Sequence, residues 1–297
     1  MLVGKIGEFG LIERFRKSIK TGPCVVVGSG DDCAVLKFDR KNYQLFTCDM
    51  IVEGVDFTHH DNPYLVGRKA LAVSISDIAA CAGIPLHAVI SLAMPKNTKV
   101  EFIDKLFKGA LDTAKKYKIN IVGGDLSRSK ELMLDVSMLG IVEKKNLVLR
   151  SGAKKGDIIF VSGPLGGSIR GKHLKFTPRL REARLLVKNF KINSMIDISD
   201  GLVQDLGHIL GQSKAGAAIY EHIIPLSLEA RCLDEALYMG EDFELLFTVS
   251  PREAKRILKR DYGFFPIGEI TDRIYGLRLV DRRGRVKPLK PKGYRHF

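Results

Sequence analysis

The sequence predicts a mixed α/β protein, of the α/β or α+β type, with two domains. Short apolar runs typical of strands alternate along the 297 residues with segments whose apolar side chains recur at helical spacing. A chain of this length can build two hydrophobic cores. The least regular stretch, rich in Lys and Gly, covers residues 143–157. We therefore predict domains at residues 1–148 and 149–297.

The N-terminal half contains four predicted strands and two strong helix patterns. Asn62 is suited to cap the first helix and Pro63 to occupy its first turn, while Gly83 and Pro85 are expected to end it. Thr98 is expected to cap the second helix, which ends in a lysine-rich turn. The strands are predicted at residues 24–27, 44–51, 119–122 and 132–138.

The C-terminal half alternates in the same way. Its strands are predicted at residues 157–162, 195–198, 217–220, 243–250 and 264–270. Its helices are predicted near residues 178–190, 200–210 and 251–259. This order of strands and helices favours the mixed class.

The composition indicates a globular protein. Hydrophobic residues make up 45% and charged residues 28%, and no apolar run approaches the roughly 20 residues that span a bilayer. Residues 1–20 lack the apolar core of a signal peptide. The five cysteines form no C-x-x-C pair, which argues against a zinc site or a disulfide framework. We expect a cytoplasmic protein with reduced thiols and no membrane partner.

The net charge of +14 admits three explanations. They are nucleic-acid binding, attraction of an anionic substrate, and a lysine-rich surface. The basic residues are spread along the whole chain and no RNA- or DNA-reading motif occurs. A small polyanionic substrate therefore fits at least as well as a nucleic acid, but charge alone does not decide between them.

Aspartates recur where predicted strands end, mostly beside glycines. The pattern occurs at Gly30-Asp31-Asp32, Asp49, Gly123-Gly124-Asp125 and Asp197-Ile198-Ser199-Asp200-Gly201. Asp77 lies in the first predicted helix, on a stripe with Ser74, and Ser199 is placed to cap a helix and leave N–H groups for an anion. Each motif alone is an ordinary turn sequence. If the acids meet in space, they predict a Mg²⁺–phosphate site, because Mg²⁺ takes carboxylate and phosphate oxygens.

Three other motifs carry weaker signals. Residues 166–173, GGSIRGKH, nearly match a P-loop, but His173 stands where a Ser or Thr should bind Mg²⁺. We expect a connecting or substrate-covering loop there. The adjacent His59 and His60 lack the spacing of a zinc site and are expected in a solvated loop. Glu241-Asp242 are expected to be exposed acids before a strand.

In seven segments the residues resemble the thiamine-monophosphate kinase family. The segments are GSGDDCA at 28–34, TCDMIVEGVDF at 47–57, RKALAVSISDIAA at 68–80, GGD at 123–125, RSGA at 150–153, DISDG at 197–201 and GEDFEL at 240–245. Their order and spacing hold across nearly the whole chain. The resemblance implies phosphorylation of thiamine monophosphate to thiamine diphosphate by ATP. It implies direct in-line transfer with several Mg²⁺ ions, and we expect no essential general base.

The resemblance also implies an architecture. The expected fold is the two-domain fold shared with aminoimidazole ribonucleotide synthetase, in which the N-terminal sheet mediates dimerisation and the C-terminal domain closes over the site. The expected partners are ATP, thiamine monophosphate and a second copy of the chain, without nucleic acid or membrane.

Individual residues take their expected roles from the same resemblance. Metal positions are Asp32, Thr47, Cys48, Asp49, Asp77, Asp125, Asp197 and Asp200. Among these, Asp49, Asp125 and Asp200 are expected to hold the reacting phosphates through the metals. Nucleotide positions are Tyr117, Gly124, Arg150 and Ser199, and positions facing thiamine are Asp56, Glu241 and Tyr294. Two residues depart from the family pattern: Asp56 replaces a common His, and Cys48 replaces a frequent small hydroxyl residue.

Two alternatives fit less well. The first is another ATP-using enzyme of the superfamily, namely a selenophosphate synthetase or a hydrogenase-maturation protein. The former usually has a reactive Cys in a Gly-rich N-terminal loop and the latter ends in Cys, whereas this sequence ends in Arg295-His296-Phe297. The second is a basic protein that binds phosphate or nucleic acid without catalysis. The set of acids argues against it, because acids repel phosphates unless metals intervene.

Overall fold

The structure is a computed structural model that describes residues 2–290 and 293–294 as two domains, each built on one sheet. The elements of the first domain are α1 (Val3–Ile6), α2 (Glu8–Ser18), β1 (Val25–Val27), β2 (Ala34–Lys37), β3 (Asn42–Val52), α3 (Pro63–Ala80), β4 (Ile84–Met94), α4 (Val100–Tyr117), β5 (Asn120–Arg128) and β6 (Met133–Glu143). Its strand order is β1-β2-β3-β6-β4-β5, with β4 and β5 parallel and the other neighbours antiparallel.

The second domain has seven described strands. Its elements are β7 (Ile158–Val161), α5 (Lys172–Lys175), α6 (Leu180–Asn189), β8 (Ile192–Asp197), α7 (Leu202–Ser213), β9 (Gly216–Tyr220), α8 (Leu233–Tyr238), β10 (Leu245–Val249), α9 (Pro251–Leu258), β11 (Phe265–Thr271), β12 (Leu277–Val280) and β13 (Val286–Pro288). The strand order is β13-β12-β9-β11-β7-β10-β8. Both sheets are mainly antiparallel, so the predicted mixed class is confirmed and lies nearer the α+β type.

Helix α3 lies between the two domains. The Asn62 side chain accepts a hydrogen bond of 3.0 Å from the N–H of Tyr64, and Pro63 occupies the first turn, as predicted. The helix contacts α4 and the first sheet as well as α5, α6 and β8 of the second domain. Most of its residues are therefore buried, and a polar side chain on this helix is held at the domain junction.

Several element boundaries differ from the prediction. Strand β4 follows α3 at once, although Pro85 indicated a break; the register shifts between Pro85 and His87, which lets the strand accept the proline. Strand β5 runs through Gly123-Gly124-Asp125 to Arg128 instead of ending at residue 122. Helix α4 begins at Val100 without the expected cap from Thr98.

Apolar clusters fill both domains, but one sheet face stays open. Buried side chains of the first sheet pack under α3 and α4, and those of the second sheet pack on both of its faces. On the opposite face of the first sheet, Phe46, Met50, Val89 and Val122 are 43%, 56%, 37% and 64% exposed. We call this surface the open face. Within the described chain, no helix has the length and apolarity needed to cross a membrane.

Candidate active site

Three carboxylates meet where the two domains join. Asp32 lies in the turn between β1 and β2, Asp77 in the last turn of α3, and Asp197 at the end of β8. One carboxylate oxygen of each lies within 4.8 Å of the other two. Because acids this close repel one another unless protons or cations neutralise them, these three residues, here called the acid cluster, form a candidate cation site.

Hydroxyl groups orient two of these acids. The Ser76 Oγ donates a hydrogen bond of 2.5 Å to Asp197 Oδ2, although the two residues belong to different domains. The Thr47 Oγ1 on β3 donates to Asp77 Oδ2. A hydrogen-bonded carboxylate has a restricted orientation, so the acid cluster is held in place before any ligand binds.

Asp49 lies at the edge of the acid cluster. Its Oδ2 accepts a hydrogen bond of 2.8 Å from Ser74 Oγ on α3. On β3 it is paired with the buried Val136 and therefore points to the helical side of the sheet. Burial raises the pKa of its carboxyl group, and the charges of Asp135, Asp32 and Asp56 add to this rise. Asp49 thus connects the acid cluster to the neighbouring cavity described below.

Arg150 supplies positive charge to the acid cluster. Its Nη2 and Nε donate to Asp32 Oδ1 at 2.6 and 3.2 Å, and its backbone N–H donates to Asp31 Oδ2 at 3.1 Å. The second oxygen of Asp32 is buried and has no hydrogen-bond partner among the described residues. Such an orphaned oxygen fits a cation ligand better than a purely structural role.

The pKa values reflect crowded negative charge. Burial, followed by the charge of Asp32, raises the pKa of Asp197 to about 7. Burial raises the pKa of Asp49 to about 6 against the opposing hydrogen bond from Ser74. Burial and then the Asp49 charge raise the pKa of Asp77 well above its usual value. Without a cation, the site therefore retains protons close to neutral pH, and a bound cation would displace them.

A cavity of about 230 Å³ lies beside the acid cluster. Its polar lining includes Asp49, Asp200, Asp56, Glu241 and Tyr294. Apolar side chains of both domains complete the wall. The three residues expected to face thiamine thus share one cavity with two residues expected to bind metal, while their individual roles stay predictions.

The start of α7 differs from the prediction. Ser199 does not cap the helix, which begins at Leu202 after an N-cap at Gly201. Instead, Asp205 Oδ2 accepts hydrogen bonds of 3.1 and 3.0 Å from the N–H groups of Asp200 and Gly201. The predicted anion site at these N–H groups is therefore wrong, although Ser199 itself lines the cavity.

Asp125 and Cys48 do not join the acid cluster within this chain. Asp125 is paired with Ser91, and Ser91 with Asp135, in a row across the open face. Cys48 is exposed and alternates with the inward-facing Asp49 along β3. These side chains therefore point to the opposite side of the sheet from the acid cluster.

Tyr117 and Gly124 also lie away from the acid cluster. Tyr117 ends α4. Burial raises the pKa of its hydroxyl group, and the charge of Arg68 on α3 opposes this rise. Gly124 lies on β5, where a Cβ atom would come within 1.9 Å of the Ile90 carbonyl oxygen. Strand packing alone thus requires glycine at this position.

The segment at residues 166–173 does not form a phosphate-binding loop. The N–H of Gly166 donates to both carboxylate oxygens of Asp242 at 3.0 Å, and Lys172 Nζ lies 3.0 Å from Glu244 Oε1. The groups that a P-loop offers to phosphate are already bound to acids. Asp242 is 1% exposed, so the prediction of two exposed acids before β10 is wrong. Ile169 of this segment lines the cavity.

Four polar residues at the site were not predicted as site residues from the sequence. Lys69, Ser74 and Ser76 lie on α3, and Asp205 lies on α7. A signal was present for the first three, because hydroxyl and ammonium groups interrupt an otherwise apolar helix. A polar group inside a buried helix needs a partner, and here those partners are site carboxylates.

Comparison with known proteins identifies the family. Residues 30–142 match the family described as AIR synthase related protein, N-terminal domain, and residues 133–278 match its C-terminal domain. The chain is 36% identical to thiamine-monophosphate kinase of Buchnera aphidicola subsp. Schizaphis graminum, over 98% of both sequences. It is 35% identical to thiamine-monophosphate kinase of Rhodopirellula baltica, over 92% of both. This chain belongs to the thiamine-monophosphate kinase family.

Similarity to the thiamine-monophosphate kinase family extends to the fold. A solved structure described as AaThiL complexed with AMPPCP and TMP matches with a TM-score of 0.88 at 31% identity, covering 100% of this chain and 99% of that one. The predicted family and two-domain fold are therefore confirmed. The acid cluster and the cavity lie between the two domains that define the family.

Proposed function

We propose that this protein is an enzyme that transfers the γ-phosphoryl group of ATP to thiamine monophosphate, giving ADP and thiamine diphosphate. The proposal depends on one observation: a single cavity is lined by Asp49 and Asp200 together with Asp56, Glu241 and Tyr294. One part of this lining suits metal-bound phosphates, and another suits an organic cation. The relative described as binding AMPPCP and TMP supports the same pair of ligands.

The acid cluster fits Mg²⁺. This ion takes oxygen ligands and usually combines one or two carboxylates with waters and substrate phosphates, and the buried oxygen of Asp32 without a partner among the described residues suits a ligand atom. When bound, Mg²⁺ would neutralise charge on the transferring phosphoryl group. We propose several ions, held at the positions that the family resemblance implies: Asp32, Thr47, Cys48, Asp49, Asp77, Asp125, Asp197 and Asp200.

The protein itself contributes orientation and charge balance. Ser76 and Thr47 orient the acids, and Arg150 offsets the charge of Asp32. We propose that Arg150 and Ser199, together with Tyr117 and Gly124, contact ATP. The attacking atom is a phosphate oxygen of thiamine monophosphate, which needs no deprotonation at neutral pH. Phosphoryl transfer depends on positioning and charge neutralisation, so no general base is proposed.

The other part of the cavity suits the thiazolium cation of thiamine. Asp56 and Glu241 provide negative charge, and the Tyr294 ring can lie against a cation. Asp56 Oδ2 accepts a hydrogen bond of 2.8 Å from the N–H of Val52, which restricts its orientation. A carboxylate in place of the family's common histidine adds negative charge where the cation is proposed to bind.

A homodimer formed through the open face is part of the proposal. Contiguous exposed apolar surface commonly marks a protein interface, and Phe46, Val89 and Val122 share such a surface on the open face. Asp125 lies on the same face. Its proposed metal role therefore requires this face to be covered by a second copy of the chain.

A cytoplasmic location without nucleic-acid or membrane partners completes the proposal. All five cysteines are free thiols, which suits a reducing compartment. The net charge of +14 favours encounter with two anionic substrates at low ionic strength.

The deciding experiment quantifies products from the purified protein. With ATP, Mg²⁺ and thiamine monophosphate, we expect ADP and thiamine diphosphate in equal amounts, and no product when Mg²⁺ is chelated. Unphosphorylated thiamine is the matched control, because it lacks the attacking phosphate oxygen and should yield no phosphorylated product. Absence of thiamine diphosphate above background would overturn the proposal.

A further inference from the structure

A fully buried lysine connects the two domains at the cavity. Lys69 lies on α3, and its side chain is 0% exposed. A buried ammonium group costs free energy unless it is paired and hydrogen-bonded. Its partners therefore indicate why a lysine is present in this apolar helix.

Both partners belong to the cavity wall. Lys69 Nζ donates to the backbone carbonyl oxygen of Asp56 at 2.8 Å and also to the Glu241 carboxylate. Asp56 and Glu241 come from different domains, and both line the cavity. One ammonium group thus sets the distance between two parts of the wall.

The loop that contains Glu241 needs such support. Glu241 and Phe243 have φ values of +55° and +49°, in the left-handed region that residues other than glycine rarely adopt. Backbone of this kind persists where the surrounding structure holds it from several sides. Asp242, between them, accepts two hydrogen bonds from the N–H of Gly166 within the second domain. Lys69 holds the same loop from the first domain.

We propose that Lys69 is a positioning residue for the thiamine end of the cavity. It holds the Glu241 carboxylate and the Asp56 main chain at the separation that accepts the organic cation. The inference rests on the proposed function and deepens it. Lys69 acts on the walls expected to contact the organic part of the substrate, whereas the phosphates are proposed to bind at the acid cluster. Lys69 therefore governs affinity for thiamine monophosphate more than the rate of phosphoryl transfer.

If Lys69 had a purely structural role, a different result would be expected. Loss of an interdomain ion pair would then lower thermal stability and the fraction of active enzyme, while the KM of the folded fraction stayed unchanged. Arg184 offers a matched control, since it also crosses the domain junction, with two hydrogen bonds of 2.7 Å to Glu143. Neither residue lines the cavity.

The test compares Lys69→Met with Arg184→Met in the full-length enzyme. For Lys69→Met we expect the KM for thiamine monophosphate to rise about tenfold or more, with kcat and the KM for ATP changed less than about threefold. For Arg184→Met we expect a lower Tm with both KM values unchanged. Lys69→Arg, which keeps the charge, should recover part of the affinity.

A polar variant covers the case in which Lys69→Met does not fold. Lys69→Gln keeps an N–H donor in place of the ammonium group and leaves Glu241 intact, and we expect it to fold and to keep the raised KM. An unchanged KM for thiamine monophosphate in a folded Lys69 variant would overturn the inference alone, as would an equal rise in the KM for ATP. Lack of turnover by the wild-type enzyme would instead overturn the proposed function and this inference with it.

Discussion

Ser76 on α3 of the first domain donates a hydrogen bond of 2.5 Å to Asp197 at the end of β8 in the second domain. Asp32 and Asp77 of the first domain complete the acid cluster. The cluster is therefore assembled only when both domains pack against α3. A change at this junction alters the cation site without removing side chains from either hydrophobic core.

Replacement of Ser76 tests this junction directly. Ser76→Ala removes the donor that orients Asp197, and we expect the Mg²⁺ concentration for half-maximal activity to rise by roughly tenfold to 100-fold. Titration of activity with Mg²⁺ measures it. Thr113→Val is the control, because Thr113 is another buried hydroxyl residue and donates only within α4. Equal Mg²⁺ dependence in both variants would contradict the prediction.

Asp49→Asn should lower kcat by on the order of 100-fold or more while the fold is retained, because a neutral amide replaces a carboxylate at the edge of the acid cluster. Steady-state turnover and circular dichroism provide the two measurements. Asp104→Asn, an exposed acid on α4, should behave as the wild type. Normal turnover in Asp49→Asn would remove this residue from the metal site.

The raised pKa values predict a pH-dependent effect of Mg²⁺ on stability. The folded-state pKa of Asp197 is raised to about 7, so without a cation this group contributes stability at low pH that is lost as the pH rises through about 7. Bound Mg²⁺ replaces the protons. Mg²⁺ should therefore raise the Tm more near pH 8 than near pH 5, and Asp197→Asn should reduce the difference. Equal Tm shifts at both pH values would refute the assignment.

Asp125 tests whether the metal role implied by the family resemblance holds for a residue that lies away from the acid cluster within one chain. The resemblance implies that Asp125→Asn lowers kcat strongly, whereas the residue lies on the open face, away from the acid cluster. We expect Asp125→Asn to lose activity, because a dimer formed through the open face would cover Asp125 and permit its metal role. We expect its Tm to stay unchanged. Kinetics and thermal unfolding of the same preparation measure both effects. Wild-type turnover would show that the resemblance does not extend to this position.

The dimer itself can be tested on the open face. Val89→Asp places a charge in the exposed apolar surface, and burial of an unpaired charge at an interface is costly. We expect a monomer in sedimentation experiments, together with reduced turnover. Ile274→Asp, at an apolar residue of the second domain that is 87% exposed, should stay dimeric. The same mass for Val89→Asp and the wild type would place the interface elsewhere or exclude it.

Local sequence signals predicted the positions of helices and strands better than they predicted the contacts between them. Asn62 and Pro63 identified the start of α3, since capping depends on adjacent residues. Strand β4 was missed because Pro85 resembles a terminator, and only the paired strands show how a register shift accepts it. The pattern of aspartates and glycines predicted a shared acidic site, but it did not show that Asp125 points to the opposite sheet face.

Long-range pairs explain most of what was missed. Lys69 and Glu241 are 172 positions apart, and nothing near either residue indicates the other. Asp205 was missed although its partners are near in sequence. It accepts hydrogen bonds from N–H groups of the preceding turn, where the sequence favours Ser199 as the helix cap. The polar residues of the apolar helix α3 carried a signal for such pairs that the prediction did not use, because each buried polar group requires a partner.

Arg150 lies on the connection between β6 and β7, yet its side chain and N–H bind Asp32 and Asp31 of the first domain. The connection between the two domains therefore contributes directly to the acid cluster. The two halves of such a chain are not interchangeable modules. A chimera that joins the first half of this protein to the second half of a relative would need to keep an arginine at this position of the joint, or the acid cluster would lose the positive charge that balances it.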